Sequence, residues 1–296
     1  MKEEFVNKNE NLVFKINQLK KEKNALIMAH YYQEKEIQEI ADFVGDSLAL
    51  AQQAAKTKAE MIVLCGVHFM GETAKILSPE KKVLIPDENA GCSLADSCPV
   101  DEFEKFVKKH PEHQDISYVN TTAAVKALTD IVVTSTNAKQ IVESFDEDAK
   151  LIFGPDKNLG DYINSITNRN MLLWDGACHV HEQFSLEKIL ALKKQYHTAL
   201  ILAHPECKKV ILNIADFIGS TSALLNYTIQ SENDTFIVAT ESGVLHKMRK
   251  NNPQKTFIPA PPNDSTCACN ECNFMRLNTL EKLYLCLKNE SPEILI

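Results

Sequence analysis

No stretch of this chain approaches the roughly 18–20 consecutive apolar residues that a membrane-spanning helix needs. Its first residues, "MKEEFVNKNENLVFKINQLKKEK", are charged and helical in pattern and hold no apolar core of secretory-signal length. A soluble, cytoplasmic protein without a membrane partner is expected. Positive charge is also in short supply. Lys and Arg number 32 against 40 Asp and Glu, a formal net charge of −8, which excludes a general binder of nucleic acid or anionic membrane. A local pocket can still be positive on an acidic protein, so small anionic substrates remain open. Low-complexity segments and long linkers are absent. What is present is 296 residues with 44% hydrophobic content, enough for two or three compact units with a real core.

Nine cysteines in a reducing compartment point to metal binding or catalysis rather than to a disulfide framework. Two have a plainer reading: Cys65 lies inside the apolar run "MIVLCGV" and Cys286 inside "LEKLYLCLKN", where a thiol serves as a small core hydrophobe.

The chain repeats itself. Residues 25–50 and 199–224 align without gaps at 14 identities in 26 positions, among them His30/His204, Asp42/Asp216, Phe43/Phe217 and Gly45/Gly219. The first copy reads as a strand over 25–30, a helix reaching toward Val44, a helix from about residue 47, a strand over 61–67, a helix and a strand over 82–86. The later copy follows the same order. Between them "ISYVN", "IVVTST", "KLIFGP" and "MLLWDG" alternate with helical segments. Short continuous apolar strands alternating with helices predict an α/β fold of three Rossmann-like units with parallel sheets. The expected arrangement is pseudo-threefold around a central active site. The expected boundaries are an N-terminal helical segment (1–24), units at 25–108, 109–190 and 191–275, and a C-terminal helical segment (276–296).

Each unit closes on an apolar strand, a turn and cysteine: "KVLIPDENAGC" at Cys92, "MLLWDGAC" at Cys178, and "KTFIPAPPNDSTCACNEC", which offers Cys267, Cys269 and Cys272. Groups beyond the carboxyl ends of parallel strands collect at functional sites. One cysteine per unit suits an iron–sulfur cluster or zinc, the cluster being favoured by the one-per-repeat placement. The same strand ends carry His30 and His204, followed two residues later by Tyr32 and Glu206, a phenol and a carboxylate suited to acid/base work. The turns Gly45–Ser47, Gly219–Thr221 and Thr134–Thr136 place hydroxyls at helix starts. Alone each is an N-cap; repeated, they suit an anionic substrate. Cys98 and Cys207 fall outside the strand–turn–Cys position, and His110 and His113 in "KKHPEHQD" read as a solvated turn.

With these residues in place the chain resembles the quinolinate synthase A family of bacterial NAD biosynthesis. The resemblance is carried over nearly the whole chain by "MAHYYQ", "GDSLALAQQA", "VHFMGETAKIL", "PDENAGCSLADSC", "YVNTTAAVKA", "TSTNA", "GPDKNLG", "HVHEQF", "AHPEC", "GST" and "CNFMRLNTLEKL". It implies three Rossmann-like units around a [4Fe–4S] cluster, and condensation of iminoaspartate (iminosuccinate) with dihydroxyacetone phosphate to quinolinate, phosphate and two waters. By motif it implies Cys92, Cys178 and Cys272 as cluster ligands and a pocket lined by His30, Tyr32, Ser47, Tyr118, Asn120, Ser135, His181, His204, Glu206, Ser220 and Thr221. Tyr32 and Glu206 would serve proton transfers, with His30, His181 and His204 beside them. L-Aspartate oxidase would be a functional link. One departure is the spacing CxCxxC at Cys267, Cys269 and Cys272, where the family often has CxxCxxC; the third ligand position survives, but a redox disulfide between the upstream pair does not carry over. Two rivals remain: an iron–sulfur hydro-lyase acting on a dicarboxylic acid, and a zinc-stabilised non-catalytic α/β protein.

Overall fold

The computed structural model of the chain describes residues 2–264 and 271–296, residues 2–8 as backbone only. Its strands form three four-stranded sheets in which every pairing is parallel. The first holds β1 (Ala25–His30), β2 (Phe43–Gly45), β3 (Met61–Cys65) and β4 (Lys82–Leu84), in the order β2-β1-β3-β4. The second holds β5 (Gln114–Tyr118), β6 (Ile131–Val133), β7 (Leu151–Gly154) and β8 (Leu172–Leu173), ordered β6-β5-β7-β8. The third holds β9 (Leu200–Ala203), β10 (Phe217–Ile218), β11 (Thr235–Ala239) and β12 (Thr256–Pro259), ordered β10-β9-β11-β12. These are three Rossmann-like units, as the alternation predicts. Contacts gather them into two compact bodies: residues up to Cys92 with Asn273–Ile296, and Ser93–Cys272.

Central strands are buried on both faces because helices cover both. "MIVLC" of β3 and "LIFG" of β7 are buried at every residue, and burial of each large aliphatic or aromatic side chain there is worth about 1.5–3 kcal/mol. In the first body the terminal helices join this core: Ile16, Leu283, Cys286 and Leu287 pack with Ile27, Val63 and Cys65. The two cysteines are core residues, with burial pushing the Cys65 and Cys286 thiols up, the latter to about 12. Among the described residues no helix is long and apolar enough to cross a membrane.

The helix expected to reach Val44 stops at Ile40, and Ala41 turns extended. The cause is Asp42, whose Oδ2 accepts the backbone N–H of Ile27 at 2.9 Å and returns the chain to β1 as the short strand β2. The later copy does the same: Asp216 Oδ2 accepts from Ile201 N at 2.7 Å, and β10 follows. In the middle unit Asp130 Oδ2 accepts from Asp115 N at 2.8 Å. All three bonds join residues fifteen apart, so Ile27, Asp115 and Ile201 are equivalent positions. That equivalence aligns the diverged middle unit with its neighbours, which sequence identity alone does not.

Asp115 sits where its counterparts are isoleucines. It is buried, and neither carboxylate oxygen has a hydrogen bond of good geometry. Burial first, and then the charge of Asp130, push its carboxyl up to about 7, with Thr129 opposing. A folded value above the ordinary 3.8 means that the contribution to stability is fully present below that ordinary value and is lost as pH rises through 7. Asp115→Asn is therefore expected to gain on the parent as pH rises, by roughly 1–4 kcal/mol at about pH 8. Urea unfolding at several pH values checks this; a pH-independent difference would remove Asp115 from the acid–base balance of the fold.

Candidate active site

The equivalence set by the three aspartates carries forward along each chain segment. Three residues on stand His30, Tyr118 and His204; five on stand Tyr32, Asn120 and Glu206. Twenty residues on from each reference position stand Ser47, Ser135 and Thr221. Nine of the residues nominated from sequence thus occupy three sets of matching places, all at or beyond the carboxyl ends of their strands, where parallel α/β sheets place ligands.

In the second body three of them, Tyr118, His204 and Glu206, form one buried network with His181. Glu206 is 3% exposed, and its Oε1 accepts the Tyr118 hydroxyl at 2.5 Å. Its Oε2 lies 3.0 Å from His181 Nδ1, an ion-pair distance off the line of a hydrogen bond. His204 stacks on His181 with ring centroids 4.9 Å apart, and His181 Nε2 is 3.1 Å from the Thr240 hydroxyl. Burial pushes the Glu206 carboxyl up, but the adjacent His181 and His204, with the bond from Tyr118, hold it down at about 2. Glu206 is therefore a buried, ionised base flanked by a phenol that can return a proton. Asn120 lies one strand end away in sequence, and its Oδ1 is buried with no hydrogen-bond partner, an acceptor available to a ligand.

The first body repeats part of this. His30 Nδ1 accepts the backbone N–H of Tyr32 at 3.2 Å, as His204 Nδ1 accepts that of Glu206 at 3.4 Å. The same ring nitrogen is thus engaged at the two equivalent positions. The His30 and Tyr32 rings meet edge-on at 4.4 Å. Arg276 donates to the Tyr32 carbonyl at 2.7 Å and pairs with Glu34 at 3.0 Å, which fixes the turn that carries Tyr32.

The helix starts refine the sequence reading. The N-cap of helix Ser47–Lys56 is Asp46, accepting from Ala49 N at 3.0 Å, and that of Thr221–Gln230 is Ser220, accepting from Ala223 N at 3.4 Å. Ser47 and Thr221 are first helical residues, not caps, so neither hydroxyl is spent on capping. The middle turn differs again: Asn137 Oδ1 reaches back to Thr134 N at 2.7 Å, and Ser135 lies between them. Gly45 and Gly219 precede the two capped helices because a Cβ there would meet Ala49 Cβ at 2.8 Å or Ala223 Cβ at 2.9 Å.

Seven cysteines are described, and they divide cleanly. Cys65, Cys98, Cys207 and Cys286 are buried, whereas Cys92, Cys178 and Cys272 are half-buried. Burial pushes the Cys98 thiol up to about 12 and raises that of Cys207, whose Sγ bonds to the Ala239 carbonyl at 3.3 Å. Cys178 Sγ lies with a His181 ring nitrogen and a Glu206 oxygen within 4.8 Å of one another. Cys267 and Cys269 lie outside the described residues. The reading of His110 and His113 as a solvated turn needs correction, since His113 keeps only 11% of its side chain exposed and its ring lies 5.3 Å from that of His110.

Sequence reasoning missed Thr240, Arg276 and two buried acids, Asp156 and Glu241. Each acid follows an apolar strand by two residues in "LIFGPD" and "TFIVATE", a position that could have flagged them, but only tertiary burial makes a carboxylate there unusual.

The chain matches the family described as "NadA: Quinolinate synthetase A protein" over residues 14–296. It is 59% identical over 283 residues to a quinolinate synthase of Thermosynechococcus vestitus, covering 96% of this chain and 89% of the relative. It is 60% identical to that of Synechocystis sp., with the same coverage, and 58% identical to that of Chloroherpeton thalassium, with coverage of 94% and 87%. With a family match along almost its full length and relatives at this identity, the chain belongs to the quinolinate synthase family, enzymes of NAD biosynthesis.

Proposed function

We propose that the protein condenses iminoaspartate with dihydroxyacetone phosphate, giving quinolinate, inorganic phosphate and two waters, and that it does so in the cytoplasm with a [4Fe–4S] cluster held by Cys92, Cys178 and Cys272. L-Aspartate oxidase is the proposed source of the imine. The observation that carries the cluster reading is the division among the described cysteines: the three nominated ligands are the half-buried ones, and the rest are sealed in cores. Thiols at strand ends with partial access suit a cluster that must meet substrate, whereas buried thiols with raised pKa do not ligate readily. When bound, such a cluster supplies one iron without a protein ligand, a Lewis acid for substrate oxygen.

The chain's own residues supply the rest. Glu206, ionised, takes protons in the isomerisation and dehydration steps, and Tyr32 gives and takes them as the second acid/base. His30 and His204 stand beside them, and His181 holds Glu206 ionised. Tyr118 orients Glu206 as well as facing the substrate, Asn120 Oδ1 accepts from it, and the hydroxyls of Ser47, Ser135, Ser220 and Thr221 receive its phosphate and carboxylates at helix starts. The organisation behind these roles is three α/β units, 25–108, 109–190 and 191–275, with helical segments 1–24 and 276–296, in a pseudo-threefold arrangement.

Quinolinate formation from the two substrates by anaerobically reconstituted protein tests the reaction, and metal analysis tests the centre. Iron and sulfide with absorbance at about 400 nm are expected; a colourless protein with stoichiometric zinc would sink the cluster, and turnover of a dicarboxylic acid without quinolinate would sink the condensation. In the same assay Tyr32→Phe is expected to keep its cluster while losing about 10²–10⁴-fold in turnover, and near-parental turnover would take Tyr32 out of the mechanism.

Ser47→Ala and Thr221→Ala are expected to weaken substrate binding while costing less than the roughly 1 kcal/mol of a lost cap, because Asp46 and Ser220 do the capping. Thermal unfolding alongside substrate titration separates the two effects; unchanged affinity would leave these hydroxyls without a role. For the ligands, Cys92→Ala, Cys178→Ala and Cys272→Ala are each expected to abolish stable cluster incorporation, and Cys267→Ala and Cys269→Ala to retain colour and most activity. A full cluster in Cys272→Ala, with loss in either upstream variant, reassigns the third ligand.

A further inference from the structure

Strand register equates Ile27 with Val63, Asp115 with Ile152, and Ile201 with Ile237 across the first and third strands of each sheet. Four residues beyond these partners stand Val67, Asp156 and Glu241. The two acids are 0% and 1% exposed, and each joins the segment after its own strand to a cysteine loop. Asp156 Oδ1 accepts from Leu159 N at 2.7 Å, capping the helix Lys157–Thr167 that follows it, and its Oδ2 accepts from Cys178 N at 3.3 Å. Glu241 Oε2 accepts from Gly243 N at 2.7 Å in its own loop, and its Oε1 accepts from Cys272 N at 3.2 Å. Two acids of different length at one register position thus make the same pair of bonds.

A backbone clasp runs beside this one. Lys157 N donates to the Gly176 carbonyl at 2.9 Å, and at the equivalent place in the first body His68 N donates to the Ala90 carbonyl at 2.7 Å. Gly176 and Ala90 each lie two residues before a nominated ligand, Cys178 and Cys92. The loop after the third strand therefore grips the cysteine loop in each case. Where the gripping position is Val67 the backbone does it; at Asp156 and Glu241 a buried carboxylate takes the cysteine's own N–H.

We infer that Asp156 and Glu241 are positioning residues for Cys178 and Cys272, fixing the backbone of each so that its thiol is presented before a cluster is bound. The inference rests on the cluster reading above. Each carboxylate, buried at a cost, ties the segment that follows its own strand to the cysteine loop, and a pre-set loop retains a metal centre better than one that must be ordered on binding.

The test uses full-length protein reconstituted anaerobically with ferrous iron, sulfide and thiol, then challenged with an iron chelator while the cluster absorbance is followed. Asp156→Ala and Glu241→Ala are expected to lose the cluster at least about tenfold faster than the parent, the size typical of lost outer-shell support. Asp156→Glu and Glu241→Asp, which keep both carboxylate oxygens as acceptors, are expected to stay close to the parent. Asp216→Ala is the control, removing a carboxylate that holds a strand and not a cysteine; it should lower the unfolding temperature and leave retention unchanged. Parental retention in both alanine variants overturns the inference. So does equal loss in Asp216→Ala, which would make the effect general destabilisation, or loss in the Asp156→Glu and Glu241→Asp variants, which decide the matter if the alanine chains do not fold. A parent that takes up no iron and sulfide brings down the cluster reading itself, an outcome separate from any difference among variants.

Discussion

An aspartate that accepts a backbone N–H from the first strand of its own unit is the interaction on which the rest depends. Asp42, Asp130 and Asp216 each stop the chain after a short helix and return it beside the strand it left. That return creates the short edge strand, sets the parallel register, and determines which residues stand beyond the strand's carboxyl end. A strand shifted by one position would turn His30 or His204 to the opposite face. Two of these aspartates are partly exposed and paired with Lys20 or Lys193, so their importance is geometric more than energetic.

The candidate site follows from that register. Parallel sheets with helices on both faces bury their strands and leave only the strand ends for polar chemistry. Glu206 tolerates burial because three groups answer its carboxylate: Tyr118, His181 and His204. Removing any one partner leaves a charge with less compensation, which is why such networks act as a unit. Asp156, also buried, is pushed up by burial and then by the Glu206 charge.

Much of this was legible in the sequence, and unevenly so. The duplication of 25–50 in 199–224 identified equivalent histidines and the Tyr32/Glu206 offset, since identical residues at identical spacing survive any folding detail. Continuous apolar runs such as "MIVLC" marked the buried strands. The two- and three-residue strands β2 and β10 were not legible, because Val44 and Ile218 continue a helical spacing and only Asp42 and Asp216 break it. The place of Tyr118 beside the histidine positions was hidden as well: the middle unit has lost the identities and kept only the hydrogen bond.

The sequence by itself determined the α/β class, the repeat, the cysteine at each unit's end and the chemical types gathered at strand ends, because these depend on periodicity and spacing along one chain. Tertiary structure decided which cysteines are half-buried and which are sealed, that Glu206 is ionised between two histidines, that Asp46 and not Ser47 caps its helix, and that Asp156 and Glu241 hold the loops of Cys178 and Cys272. Each of these turns on burial or on a hydrogen bond between residues distant in sequence. Neither the dielectric around a carboxyl nor the partner of a backbone N–H is a property of local sequence.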